Sequence, residues 1–132
     1  MILLPLIHVE LVSATEHFTT TALLDSGATL SFIPYEMAEI LGLIPTTKPT
    51  PIPVSTAGGM SQFFPVKLER LSLLAGGKTF SDFSDVSVLV PTRPEHDLPY
   101  VILGRDTIFT RFHVTFKEKV KKFVLVHHKW AQ

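Results

Sequence analysis

Apolar and polar positions along the chain alternate mainly with a period of two, in short runs of β-branched and aromatic residues broken by Gly, Pro, Ser and Asp. That alternation gives each run one face for a core and one for water, so it predicts β-strands and a mostly β protein. Leu6 to Val12 and Phe18 to Leu24 predict a hairpin around Ser13-Ala14-Thr15-Glu16. Ile52 to Thr56 and Phe63 to Leu68 predict a second, tipped by Ala57-Gly58-Gly59-Met60. Further strands are predicted at Arg70 to Leu74, Thr79 to Phe83, Val86 to Val90 and Pro99 to Leu103. Ala75-Gly76-Gly77-Lys78 is predicted as a tight turn, because paired glycines supply the positive φ such turns require. His113 to Phe116 and Phe123 to Val126 flank Lys117-Glu118-Lys119-Val120-Lys121-Lys122, whose mixed charges suit a solvated hairpin turn better than a basic binding patch.

Two short helices interrupt the strands. One is predicted at Pro34 to Leu41, with proline at its start and Gly42 at its end. The other is predicted to begin near Arg105-Asp106-Thr107-Ile108-Phe109. Pro45, Pro49, Pro51 and Pro53 mark a stiff connection and not a domain linker, since too little chain precedes them for a separate core. The 132 residues therefore read as a single domain spanning 1–132.

Composition narrows the chemistry. Lys+Arg and Asp+Glu number 12 each, so no net positive charge is available for a phosphate backbone, and nucleic acid is not an expected partner. The absence of Cys excludes disulfides, thiolate metal sites and a Cys nucleophile. The apolar start, Met1 to His8, lacks a basic n-region and a small-residue cleavage site and is too short to span a bilayer, so it is predicted as a first strand. No other stretch reaches membrane-spanning length, and a cytoplasmic protein without a membrane partner is expected. The six histidines give no metal site: His127 and His128 point to opposite faces of a strand, and His8, His17, His96 and His113 lack acidic residues at ligand spacing. No metal and no other cofactor is expected. Trp130 could anchor the C-terminal strand or a contact between subunits.

The informative stretch is Ala22-Leu23-Leu24-Asp25-Ser26-Gly27-Ala28-Thr29. An apolar strand running straight into Asp-Ser-Gly places a carboxylate at a strand end on a tight turn, where burial without a partner is costly. Taken alone it is an Asx-type turn, with Asp25 capping its own loop. A serine nucleophile is a poor fit, because no Gly-x-Ser-x-Gly elbow surrounds Ser26. Tyr100-Val101-Ile102-Leu103-Gly104-Arg105-Asp106 is a second apolar strand that ends in glycine before a short helix, and it forms a weak internal repeat with the first. The glycine-tipped hairpin lies between them.

This ordered set, Leu-Leu-Asp-Ser-Gly-Ala, a glycine-tipped hairpin, then Val-Ile-Leu-Gly-Arg-Asp before the last helix, resembles the retropepsin-like aspartic proteases from about Leu6 to Val126. The resemblance implies an all-β, closed-barrel acid protease fold with two short helices. The hairpin after the last helix makes the chain more similar to the cellular, bacterial or archaeal members than to viral ones. The family's reaction needs two carboxylates sharing a proton, since water must be deprotonated while the scissile carbonyl is protonated. Only one Asp-Ser/Thr-Gly is present, and Asp82, Asp85, Asp97 and Asp106 lack that setting. The implied enzyme is a homodimeric aspartic endopeptidase, with Asp25 of each subunit meeting at the two-fold axis and an inactive monomer. Its rate should be bell-shaped in pH, because like charges a few ångströms apart cannot both ionise cheaply.

The resemblance also assigns roles. Ser26 would brace the paired loops across the dimer, and Gly27 would offer backbone groups to the dyad and substrate. Ala57, Gly58, Gly59 and Met60 would form a flap tip closing over an extended peptide or protein substrate, which would bind as an added strand. Ala28, Thr29 and Ile102 would contact substrate, with Leu23, Ile52, Val54 and Met60 as further pocket candidates. Viral members commonly carry an acid at the position of Thr29, paired to the arginine of the Gly-Arg segment. Arg105 is therefore expected to find another partner, either Asp106 or a backbone carbonyl. Two other readings stand beside the enzyme: a catalytically silent dimeric peptide-binding module of the same fold, and a protease domain that processes itself from a polyprotein.

Overall fold

A computed structural model describes residues 5–56, 59–96, 98–117 and 122–128. The alternating runs form strands β1 (Leu6–Val12), β2 (His17–Leu24), β3 (Ile52–Thr56), β4 (Gly59–Ala75), β5 (Lys78–Pro91), β6 (Val101–Leu103), β7 (Phe112–Lys117) and β8 (Lys122–His127). Two helices, α1 (Tyr35–Ile40) and α2 (Ile108–Arg111), lie between them, with a short 3-10 turn at Pro94–His96. Six strands share one sheet in the order β3-β4-β1-β2-β6, with β5 on β4, while β7 and β8 pair separately. Among the described residues no helix is long and apolar enough to cross a membrane.

The predicted strands at Phe63 to Leu68 and Arg70 to Leu74 are one strand, β4, and those at Thr79 to Phe83 and Val86 to Val90 are one strand, β5. The two apparent breaks face each other: Leu68 pairs with Val86 and Arg70 with Ser84, so Glu69 stands opposite Asp85, which adopts φ 50°. A local irregularity inside a continuous hairpin thus reads in sequence as two gaps. Gly76 and Gly77, at φ 58° and 78°, close that hairpin in the two-residue turn predicted for them. Pro65 is tolerated inside β4 because its partner Leu89 turns both backbone groups the other way. The Leu89 N–H donates to the Ser31 carbonyl and the Leu89 carbonyl accepts from the Ile33 N–H, so Pro65 faces a position that needs no donor.

Those same bonds correct the closed-barrel expectation. The ladder ends at β3 and β6, and between β6 and β5 there are, among the described residues, only two single-residue bridges, Phe32 with Ile102 and Phe32 with Leu89. The segment through Phe32 cannot grow into a closing strand because Pro34, two residues on, has no N–H to give and stands at the start of α1. The sheet is all-β with two short helices, but open. The second helix begins three residues later than the sequence suggests, since Arg105 to Thr107 form a turn, and β6 begins at Val101 and not at Pro99.

The main core lies between the sheet and the helices, and includes Val9, Leu11, Leu24, Leu68, Leu71, Leu103, Leu41 and Ile108. At about 25 cal/mol per Å2 of apolar surface removed from water, such burial is the term that holds the strands in register. A smaller second cluster of Phe32, Phe63 and Leu89 forms apart from it, with the Phe32 and Phe63 rings edge to face at 5.1 Å.

Candidate active site

The two segments that look alike in sequence lie side by side. β2 and β6 run parallel, with Ala22 beside Val101, Leu23 beside Ile102 and Leu24 beside Leu103. Both strands therefore end together, and both turns emerge at one end of the sheet. The Asp25 N–H extends the ladder by donating to the Leu103 carbonyl at 3.0 Å.

Asp25 is half-buried, whereas Ser26 and Gly27 are exposed. The Asx-type turn is present: Asp25 Oδ1 accepts from the Gly27 N–H at 2.9 Å, and the Asp25 carbonyl accepts from the Ala28 N–H at 3.1 Å. A Cβ on Gly27 would sit 3.2 Å from Asp25 Oδ1, so a larger residue would press on the carboxylate it helps to orient. Among the described residues nothing else bonds the carboxylate, which leaves Oδ2 open to a water, a substrate or a second carboxylate.

The turn after β6 holds the loop from behind. The Arg105 N–H donates to the Ala28 carbonyl at 2.9 Å, and Arg105 Nη2 donates to Thr29 Oγ1 at 3.1 Å. This overturns the expectation that Arg105 bonds Asp106 or a carbonyl instead: the threonine hydroxyl takes the place that an acid would fill, as a neutral acceptor. Asp106 is engaged elsewhere, accepting from Ser31 Oγ at 2.7 Å.

Ala28 and Ile102 meet at the second apolar cluster, on Phe32, Phe63 and Leu89, together with Val54 from β3. This floor therefore joins the Asp25 loop to the β3–β4 hairpin. Leu23, Ile52 and Met60 are not part of it, and Met60 is 68% exposed. Gly59 and Met60 are not turn residues but the first residues of β4, paired with Thr56 and Ser55. Ala57 and Gly58, the predicted flap tip, lie outside the described residues, as do Asp97, Trp130 and the centre of the charged run at 118–121.

Sequence reasoning passed over Leu30, Phe32, Phe63, Leu89 and Leu98 in that floor, and also Ser31, which is fully buried. A serine between Leu30 and Phe32 was the available signal, since a buried hydroxyl in an apolar run requires a partner. Among the described residues no group of three or more His, Asp or Glu side chains could hold a metal ion.

Solved structures share this fold. The protease of EIAV in complex with the inhibitor HBY-793 aligns with a TM-score of 0.51 and 21% identity, covering 82% of this chain and 88% of that one. A retropepsin-like aspartic protease from Rickettsia conorii aligns with a TM-score of 0.54 and 18% identity, covering 86% and 76%. No curated protein sequence matches significantly. At these identities the likeness establishes the retropepsin-like fold. The family model described as aspartyl protease matches residues 12–107, a span that takes in β2, the Asp25 turn, the β3–β4 hairpin, β6 and the Gly104 turn, and the chain belongs to that aspartyl protease family.

Proposed function

We propose that this chain is one protease domain, residues 1–132, which acts as a homodimeric aspartic endopeptidase with Asp25 of each subunit forming the catalytic dyad. The observation that carries the reading is the Asp25 turn itself: its Oδ1 is fixed by the Gly27 N–H, and among the described residues Oδ2 has no partner. One chain supplies one such turn, because the equivalent end of β6 carries Gly104 where β2 carries Asp25. A pair of carboxylates then requires a second copy, arranged isologously about a two-fold axis.

In that dimer one Asp25 carboxylate takes a proton from a water, whose oxygen attacks the scissile carbonyl carbon. The other Asp25, protonated, gives its proton to the carbonyl oxygen, which forms a neutral tetrahedral diol. Collapse of the diol breaks the C–N bond, with one proton delivered to the leaving nitrogen and one returned to the dyad. No covalent intermediate with the enzyme forms. Exposed Ser26 braces the partner loop, and Gly27 presents backbone groups to substrate. The peptide lies extended between the Asp25 loop and the β3–β4 hairpin, with apolar side chains directed at Ala28 and Ile102, Thr29 at the margin, and Ala57, Gly58, Gly59 and Met60 closing over it.

Cleavage of a denatured protein mixture between about pH 3 and pH 8, a range in which a carboxylate dyad titrates, tests this, with Asp25→Asn in parallel. Wild-type cleavage with a pH maximum, abolished in Asp25→Asn, is the expected result. Light scattering should give a dimer for both proteins. A folded wild type that is monomeric at every concentration, or cleavage that survives in Asp25→Asn, would overturn the shared dyad.

A further inference from the structure

The backbone of segment 103–105 hydrogen-bonds the loop that carries Asp25 at three points. The Leu103 carbonyl accepts from the Asp25 N–H, the Arg105 N–H donates to the Ala28 carbonyl, and the Gly104 N–H donates at 2.9 Å to the side-chain hydroxyl of Ser31. The first two bonds are backbone to backbone and require no particular side chain. The third depends on one oxygen atom. Ser31 is 0% exposed, and it joins residues 73 positions apart in the chain.

Two of the three contacts at that oxygen have a direction fixed by their chemistry. Gly104 N–H can only donate to it. Asp106 Oδ1, at 2.7 Å, accepts, so the single Ser31 proton is committed there. Thr107 Oγ1 stands 2.9 Å away, and its one proton is shared between the Ser31 hydroxyl and the Gly104 carbonyl at 3.3 Å. The Ser31 hydroxyl thus gives one hydrogen bond to Asp106 and receives one from the Gly104 N–H, with the Thr107 hydroxyl as a shared third partner. A hydroxyl held on three sides in this way has one orientation and one position, and the chain on either side of it inherits both.

We infer that Ser31 is a positioning residue, which sets the height of the Asp25 loop above the Gly104–Thr107 turn and thereby the placement of the Asp25 carboxylate; this rests on Asp25 being the catalytic acid proposed above. Asp106 and Thr107 act through Ser31: they fix its proton and its lone pairs. None of the three needs to touch substrate. In a dimer the effect counts twice at one dyad, since each subunit presents its own loop.

The test compares Ser31→Ala, Asp106→Leu and Asp106→Asn with the wild type, by steady-state kinetics on a cleaved peptide well below each melting temperature and by backbone amide exchange. Ser31→Ala leaves the buried Gly104 N–H without its acceptor. Its kcat should fall by about 10- to 100-fold, as expected when a reacting group shifts by up to about 1 Å, while KM stays within about twofold. Exchange at the Asp25, Ala28 and Gly104 amides should accelerate, with core strands such as β1 unchanged. Asp106 is exposed, so its variants should fold whatever the outcome at Ser31. Asp106→Leu removes the acceptor and should lower kcat, and Asp106→Asn, which keeps an acceptor oxygen, should recover most of the rate.

A folded Ser31→Ala with kcat within twofold of wild type would overturn the proposal, as would Asp106→Leu and Asp106→Asn that behave alike. If the wild type cleaves nothing, the catalytic reading of Asp25 fails on its own. The amide exchange then still decides whether Ser31 positions the loop: unchanged protection at Asp25 and Ala28 in Ser31→Ala overturns that role, and accelerated exchange confined to the loop supports it.

Discussion

Gly104→Ala should be among the most damaging single-methyl changes in this protein. A Cβ at that position would stand 2.6 Å from the Ala28 carbonyl oxygen and 2.9 Å from the Leu30 carbonyl carbon, and nearer still to the Leu30 oxygen, whereas real Cβ contacts essentially never fall under 3.0 Å. All three obstacles are backbone atoms, so no side chain can swing aside. The loop at 28–30 and the turn at 104 must separate. Overpacking of this kind costs about 1–3 kcal/mol. Separation also weakens two bonds that cross the same gap, from the Arg105 N–H to Ala28 and from the Gly104 N–H to Ser31, at about 1 kcal/mol each. The sum is about 3–5 kcal/mol, a large share of the roughly 5–15 kcal/mol that stabilises a domain. With a urea dependence of about 2 kcal/mol per molar, the unfolding midpoint should fall by about 2 M. Protein concentration must be held equal, because unfolding of the proposed dimer depends on it. A midpoint within about 0.5 M of wild type would refute the close approach of these two loops, on which the placement of Asp25 depends.

Other expectations are tied to single contacts. Arg111 lays its guanidinium 3.9 Å over the Phe83 ring, donates to Ser81 Oγ at 2.9 Å and also donates to the Asp82 carbonyl. Arg111→Ala should lower stability by about 2 kcal/mol, and Arg111→Lys should recover less than half of it, because an ammonium cannot stack and fork at once. Equal stability of Arg111→Lys and wild type in urea would show that the stacking contributes nothing. Met60, 68% exposed at the start of β4, should tolerate Met60→Thr with stability changed by no more than about 0.5 kcal/mol. KM for an apolar peptide should nevertheless rise several-fold, and an unchanged KM would remove Met60 from the substrate's surroundings.

The strands of the first hairpin, the α1 helix and the Gly76-Gly77 turn are local features, in which periodicity, a proline start and positive-φ residues act within a few positions. The Asp25 turn was equally local, since its Asx bond spans two residues. The reading of β4 and β5 as four strands failed because Glu69 and Asp85 look like ends when considered singly, and only their pairing across the hairpin shows a continuous ladder. The closed barrel failed for a related reason: whether Phe32 becomes a strand or a pair of bridges depends on Pro34 and on which neighbours reach it.

The sequence by itself determined the β-rich composition of the fold, the position of one carboxylate on a strand-end turn, and the presence of a second, similar strand end without one. These are consequences of side-chain period and turn chemistry, which need no distant partner. Tertiary structure alone decided that the two strand ends lie parallel and adjacent, that Arg105 meets Thr29, and that Ser31 reaches across to Gly104, Asp106 and Thr107. Hydrogen bonds between residues more than 70 positions apart leave no periodic trace in a chain. They exist because burial of the two clusters brings the segments together, and a buried polar group must then be satisfied by whichever partner has arrived.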